Sequence, residues 1–184
     1  MKNRGDVPSY SIPLKARAPL MVQLALAWDG QWFLKVYDKF GWDAASEINA
    51  RVRSSWSKME MKAALRALGK READDLADAL AVWRAYFEIF NFASDAFVGE
   101  QFIENDTIYV SVTKCANMEG VKRAKLEHTH HPCIACANAW EAWFKTLLPN
   151  HEVTEEIVER MGYGASKCQY LIRAVPRHVQ EDKK

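Results

Sequence analysis

Four cysteines, Cys115, Cys133, Cys136 and Cys168, are the residues of this 184-residue chain whose type and spacing could do chemistry. Cys133 and Cys136 form a Cys-x-x-Cys pair directly after Pro132. Proline suits the first turn of a helix, where its missing N–H costs nothing. A spacing of three then puts both thiols on one helical face. Free amides and the positive end of the helix dipole favour thiolate over thiol, lowering the pKa and raising metal affinity and nucleophilicity together. Gaps of 17, 2 and 31 residues separate the four cysteines. One such pair with two dispersed partners is a weaker zinc signal than two pairs, and the spacing departs from the common ferredoxin patterns. Zinc on Cys115, Cys133, Cys136 and Cys168 is therefore the expected cofactor, with an iron–sulfur cluster as runner-up.

The alternative is packing alone, since free cysteine is among the most buried residue types. It fits Cys168 best, because alternation in CQYLIRAV can point that residue inward. His128, His130 and His131 lie beside the pair, and histidine both ligates metals and moves protons at neutral pH. His131, two residues from Cys133, is the best placed of the three. The candidate catalytic residues are thus Cys133, Cys136 and His131. Glu155, Glu156 and Glu159 precede Cys168, and strand alternation sends Glu155 and Glu159 to one face, where a carboxylate could complete a metal site. A thioredoxin-like reading fits poorly, because a polar loop and not a strand precedes the pair.

These residues need elements to position them. Residues 1–17 read as a flexible lead-in with Pro8 and Pro13. From Pro19 to Phe40, Leu20, Leu24, Trp28, Trp32 and Tyr37 recur at helical spacing. Gly41 breaks that helix, Asp43 can cap a second, Gly69 ends it, and a third is expected over Glu72–Phe90. FVGEQFIENDTIYVSVTKC then reads as a hairpin about Glu104-Asn105-Asp106. After a basic loop, CIACANAWEAWFKTLL places Trp140, Trp143, Phe144 and Leu147 on one helical face. VTEEIVERMGY and CQYLIRAV flank Gly164-Ala165-Ser166 as a second strand pair. The fold class is α+β: a layer of three helices (18–91) followed by an antiparallel ββαββ unit (92–176), one domain over 18–176 with a charged tail at 177–184.

Lys and Arg total 25 against 24 acidic residues, so a net charge of +1 gives no field to draw in nucleic acid or an anionic membrane. The first twenty residues hold charge and three prolines where a secretory signal needs an unbroken apolar core, which predicts a cytoplasmic protein. In a reducing compartment the cysteines stay thiols. Seven tryptophans are many for one domain; most are expected in the core, where aromatic side chains can wall a ligand pocket, and exposed stripes would favour a homodimer.

A strand ending in cysteine (VSVTKC), a helix opening with cysteines (HPCIAC) and a strand pair with GASKCQYLI resemble the 2-amino-thiazoline-4-carboxylate hydrolase-like family and the related 4-vinyl-reductase-like ligand-binding domains, over residues 92–175. LALAWDGQWFLKVYDKFGWDAASEIN resembles the opening of a group of cysteine-containing cytosolic proteins with no assigned activity. The hydrolase-like resemblance implies hydrolysis of a small C–N or C–S ring, by metal-bound water or a cysteine thiolate. The 4-vinyl-reductase-like resemblance implies a buried pocket for a small, mostly apolar molecule, sometimes beside zinc held by cysteines. Cys115, Cys136 and Cys168 match recurrent cysteines and Cys133 is an addition. The hydrolase pattern places an aspartate soon after the helix cysteine, where this chain has Asn138 and Ala139, with Glu141 the nearest acid. That departure favours a small-molecule-binding domain over the hydrolase, with a non-catalytic interaction module as a further alternative.

Overall fold

The computed structural model describes residues 11–91, 96–126 and 133–177. Helices precede an antiparallel sheet, as the change of hydrophobic period from 3.6 to 2 requires. Helix α1 (Leu14–Phe40) and helix α2 (Trp42–Ala67) meet at Gly41, whose φ of 82° is left-handed backbone that lets the chain reverse within one residue. α1 begins at Leu14, ahead of the expected start, and contains Pro19. Asp43 lies in the first turn of α2 without capping it; Gly41 occupies the N-cap position and has no side chain to accept a bond. Helix α3 (Leu76–Asn91) starts after Glu72, because Asp75 accepts a 2.8 Å hydrogen bond from the Asp78 N–H and so caps it.

Strands β1 (Phe97–Glu104) and β2 (Thr107–Cys115) form the expected hairpin. Its two loop residues, Asn105 and Asp106, have φ of 48° and 54°, the tight turn whose twist matches that of the strands. Helix α4 (Ala116–Arg123) follows where the sequence reads as a loop. ANMEGVKR is only eight residues long and carries Gly120, so length and propensity both argue against a helix there. Helix α5 (Ile134–Leu147), strand β3 (His151–Glu159), a short 3-10 turn (Met161–Tyr163) and strand β4 (Cys168–Pro176) complete the chain. The sheet order is β1-β2-β4-β3, antiparallel throughout, so the unit is ββααββ with one more helix than expected.

One sheet face is buried. Cys168, Tyr170 and Ile172 on β4 stand opposite Val112, Val110 and Ile108 on β2, and α5 packs between this face and α2. Trp140, Trp143, Phe144 and Leu147 enter the core as their spacing predicts. Each such side chain contributes about 1.5–3 kcal/mol by leaving water. A register shift between Ile157 and Glu159 overturns one expectation. Glu155 pairs with Ile172 on the inner face, whereas Glu159 pairs with Gln169 on the outer one, because a bulge inserts a residue and reverses the alternation.

The tryptophans divide. Trp83, Trp140 and Trp143 are core residues, but Trp28, Trp32 and Trp56 are 73%, 51% and 50% exposed. The helical period of α1 is as expected, yet its aromatic stripe faces away from α2, which it meets through Val36, Phe33 and Tyr37. No helix among the described residues is long and apolar enough to cross a membrane.

Candidate functional site

The cysteines come from three elements. Cys115 ends β2, Cys133 and Cys136 open α5, and Cys168 begins β4. Register sets Cys168 opposite Val112, three residues from Cys115, and α5 starts at this same end of the sheet. All four thiols share one electrostatic neighbourhood: Cys136 feels Cys115 and Cys168, and Cys133 feels Cys136 and Cys168. None is in a disulfide; Cys133 and Cys168 are buried, Cys115 and Cys136 half-buried.

Their protonation departs from the helix-start expectation. Burial pushes Cys136 up to about 12, with the charges of Cys115 and Cys168 adding to the rise and Arg53 opposing it. The neighbouring Cys168 raises the pKa of Cys133, whose S–H is directed at Met118 Sδ at 4.0 Å, and the same proximity lowers Cys168. The Met161 N–H at 3.3 Å and the Tyr170 hydroxyl reinforce the thiolate on Cys168. Burial raises Cys115, partly offset by the N–H groups of Met118 and Asn117. Thiolate character therefore belongs to Cys168, the cysteine that sequence assigns most readily to packing, and not to the pair at the helix start.

Tyr170 is the residue that sequence reasoning missed. Its hydroxyl opposes the rise at Cys136 and lowers Cys168, and its ring lies 4.9 Å from Trp140, so it stands between the thiols and the aromatic core. A signal existed: Tyr170 is two residues after Cys168 on a strand and must share its face. Trp83 stacks between Phe87 (3.9 Å) and Trp140 (5.0 Å) and is 2% exposed. Its indole N–H has no hydrogen-bond partner among the described residues, an uncommon state for a buried donor.

A second polar group borders this seam. Glu60 accepts hydrogen bonds from Tyr86 Oη (2.5 Å), Trp143 Nε1 (2.6 Å) and Arg53 Nη2 (3.3 Å), and Arg53 lies 5.5 Å over the Trp143 ring. In sequence Glu60 reads as one more solvated helix charge.

His131, His128, His130 and Pro132 lie outside the described residues. Glu155 has Glu141 and Arg160 as its charged neighbours; desolvation first, then Glu141, raises its carboxyl to about 8. Among the described residues, no three His, Cys, Asp or Glu side chains stand as a metal-ligand group. The donor types do fit zinc, being soft, unbridged thiols in one neighbourhood with one already favouring the thiolate. A niche of about 220 Å³ lined by Glu72, Asp74, Leu148 and His151, and one of about 380 Å³ lined by Ile157, Val158, Arg160 and Tyr163, are both lined by residues outside the aromatic seam.

No protein-family model matches the chain, and no curated protein matches it in sequence. Among solved structures it is similar to the phenol-responsive sensory domain of the transcription activator PoxR with phenol. The two share 9% sequence identity at a TM-score of 0.53, over 90% of this chain and 77% of that one. At that identity the likeness is one of fold.

Proposed function

We propose that this chain is a small-molecule-binding domain that takes a small, mostly apolar aromatic ligand at the Trp83–Trp140–Tyr170 seam, beside a cysteine site that holds zinc. The observation that carries the reading is the place of Tyr170, whose ring lies 4.9 Å from Trp140 and which stands next but one to Cys168 on the same face of β4, so that the cysteines border the aromatic core. The unpartnered Trp83 N–H supports it, since an acceptor on the ligand would satisfy that donor. So does the fold shared with a phenol-responsive sensory domain. Cys115, Cys133, Cys136 and Cys168 would hold the metal; four thiolates make a closed, structural shell, and three would leave a position open for water.

The test is tryptophan emission and thermal unfolding of zinc-loaded protein against phenol, small phenol ethers and matched alicyclic alcohols. A phenolic ligand at 100 times its Kd stabilises by about 2.7 kcal/mol. Quenching and a raised melting temperature with phenols, both lost in Trp83→Phe, are expected. Equal responses to the alicyclic alcohols, or none to phenols at millimolar concentration, contradict the ligand assignment.

A further inference from the structure

An amphipathic helix buries its apolar sector against a neighbour, and α1 carries an apolar sector that α2 does not cover. At 100° per residue, Leu20, Met21, Leu24, Trp28 and Trp32 fall within a sector of about 120°. The side that meets α2, through Phe33, Val36 and Tyr37, lies away from that sector. α1 packs chiefly on α2, so the sector is bare: exposures run from 36% at Leu20 through 65% at Met21 and 56% at Leu24 to 73% at Trp28. It holds no charge between Arg17 and Lys35.

We infer that this stripe is the interface of a homodimer, in which α1 of one copy packs antiparallel on α1 of the other. This goes beyond the ligand-binding reading and does not depend on it. Area is the first argument. The five side chains expose on the order of 700 Å² per copy, close to the ~800 Å² per partner of a stable protein interface. Charge is the second. A two-fold antiparallel interface sets residue i of one copy against a different residue j of the other, so a charge inside the stripe would face an apolar side chain and lose its water without a partner; the stripe has none between Arg17 and Lys35. A two-fold axis between Ala27 and Trp28 lies equally far, in residues, from Arg17 and from Asp38. Antiparallel pairing about it brings Arg17 of each copy level with Asp38 of the other, two opposite charges at each end of an apolar seam. Asp38 is free to turn, since its 3.6 Å contact with Lys35 is between side chains 60% and 75% exposed, a weak pairing. Two tryptophans near the centre supply the large, stiff side chains that anchor interfaces.

The experiment is sedimentation equilibrium on the full chain from 1 to 100 µM. A mass twice that of one chain is expected at the upper end. Leu24→Glu and Trp28→Glu are expected to raise the dimer Kd at least 100-fold while circular dichroism and the melting midpoint measured at 1 µM stay as in the parent. Arg17→Asp and Asp38→Arg are each expected to weaken the dimer about tenfold, and the double exchange to restore it. A chain that stays monomeric at 100 µM overturns the inference, as does a dimer that survives both glutamate variants with the fold intact. Failure of the double exchange to restore binding overturns the antiparallel register.

Discussion

Replacing Glu60 by glutamine is expected to cost about 3 kcal/mol, in the range for breaking a buried, hydrogen-bonded charge pair. The carboxylate is 4% exposed at the side chain and holds four donors, Tyr86 Oη, Trp143 Nε1, Arg53 Nη2 and Arg53 Nη1, at 2.5, 2.6, 3.3 and 3.4 Å. Glutamine keeps the volume and one acceptor, but turns an NH2 towards a donor, so one of Tyr86 or Trp143 is left unsatisfied at about 1–3 kcal/mol. It also leaves the Arg53 guanidinium, 25% exposed, without its counter-charge. Urea unfolding at pH 7 reads the loss as a lower midpoint at unchanged m-value. Against a domain stability of about 5–15 kcal/mol the effect is large. Arg53→Met should cost a similar amount, and the double variant much less than the sum, because each single change has already released the other partner. A loss below about 1 kcal/mol for Glu60→Gln, or full additivity with Arg53→Met, would refute the reasoning.

Glu155 holds its proton to about pH 8 in the folded chain against 4.5 in the unfolded one, so folding takes up a proton between those values and stability falls as pH rises through them. Glu155→Gln should leave stability at pH 4 unchanged and raise it at pH 8 by about 1–2 kcal/mol after allowance for partial exposure; equal effects at both pH values would contradict the burial of this carboxyl. Gly99→Ala builds a Cβ 2.1 Å from Ser111 O beside the bulge in the β1–β2 ladder, and a melting temperature lowered by roughly 2–8 °C is expected, equivalent to about 1–2 kcal/mol. Cys133 and Cys168, 5% and 4% exposed, should label with a bulky maleimide at least 100-fold more slowly in the native chain at neutral pH than in denaturant, and comparable rates would show that they are not buried.

Legibility in the sequence followed the range of the interactions involved. The β1–β2 turn, the reversal at Gly41 and the α5 core face rest on neighbours in the chain, and each stands as the residues imply. Helix α4 was hidden because it is two turns long and contains Gly120. Glu159 left the face of Glu155 because of a bulge, which alternation cannot foresee. The stripe of Trp28 and Trp32 was visible, but which side of α1 meets α2 depends on packing around Trp42 across the reversal. The nearness of Cys115, the Cys133/Cys136 pair and Cys168 is permitted by the strand–helix–strand order but not required by it. Which sulfur favours the charge is not legible either. That depends on the Met161 N–H and the Tyr170 hydroxyl beside Cys168, and only the assembled fold brings them there.

The cysteine site is most directly tested by the metal content of protein purified without chelator, for the parent chain and for Cys136→Ser and Cys168→Ser. One zinc per chain in the parent, falling below about 0.2 in both variants at pH 7, is the expected result, since removing one thiolate weakens a structural zinc site severely. Less than about 0.1 equivalent of zinc in the parent, with no uptake on addition of zinc to the reduced chain, would contradict the site; iron with a brown colour would replace zinc by a cluster.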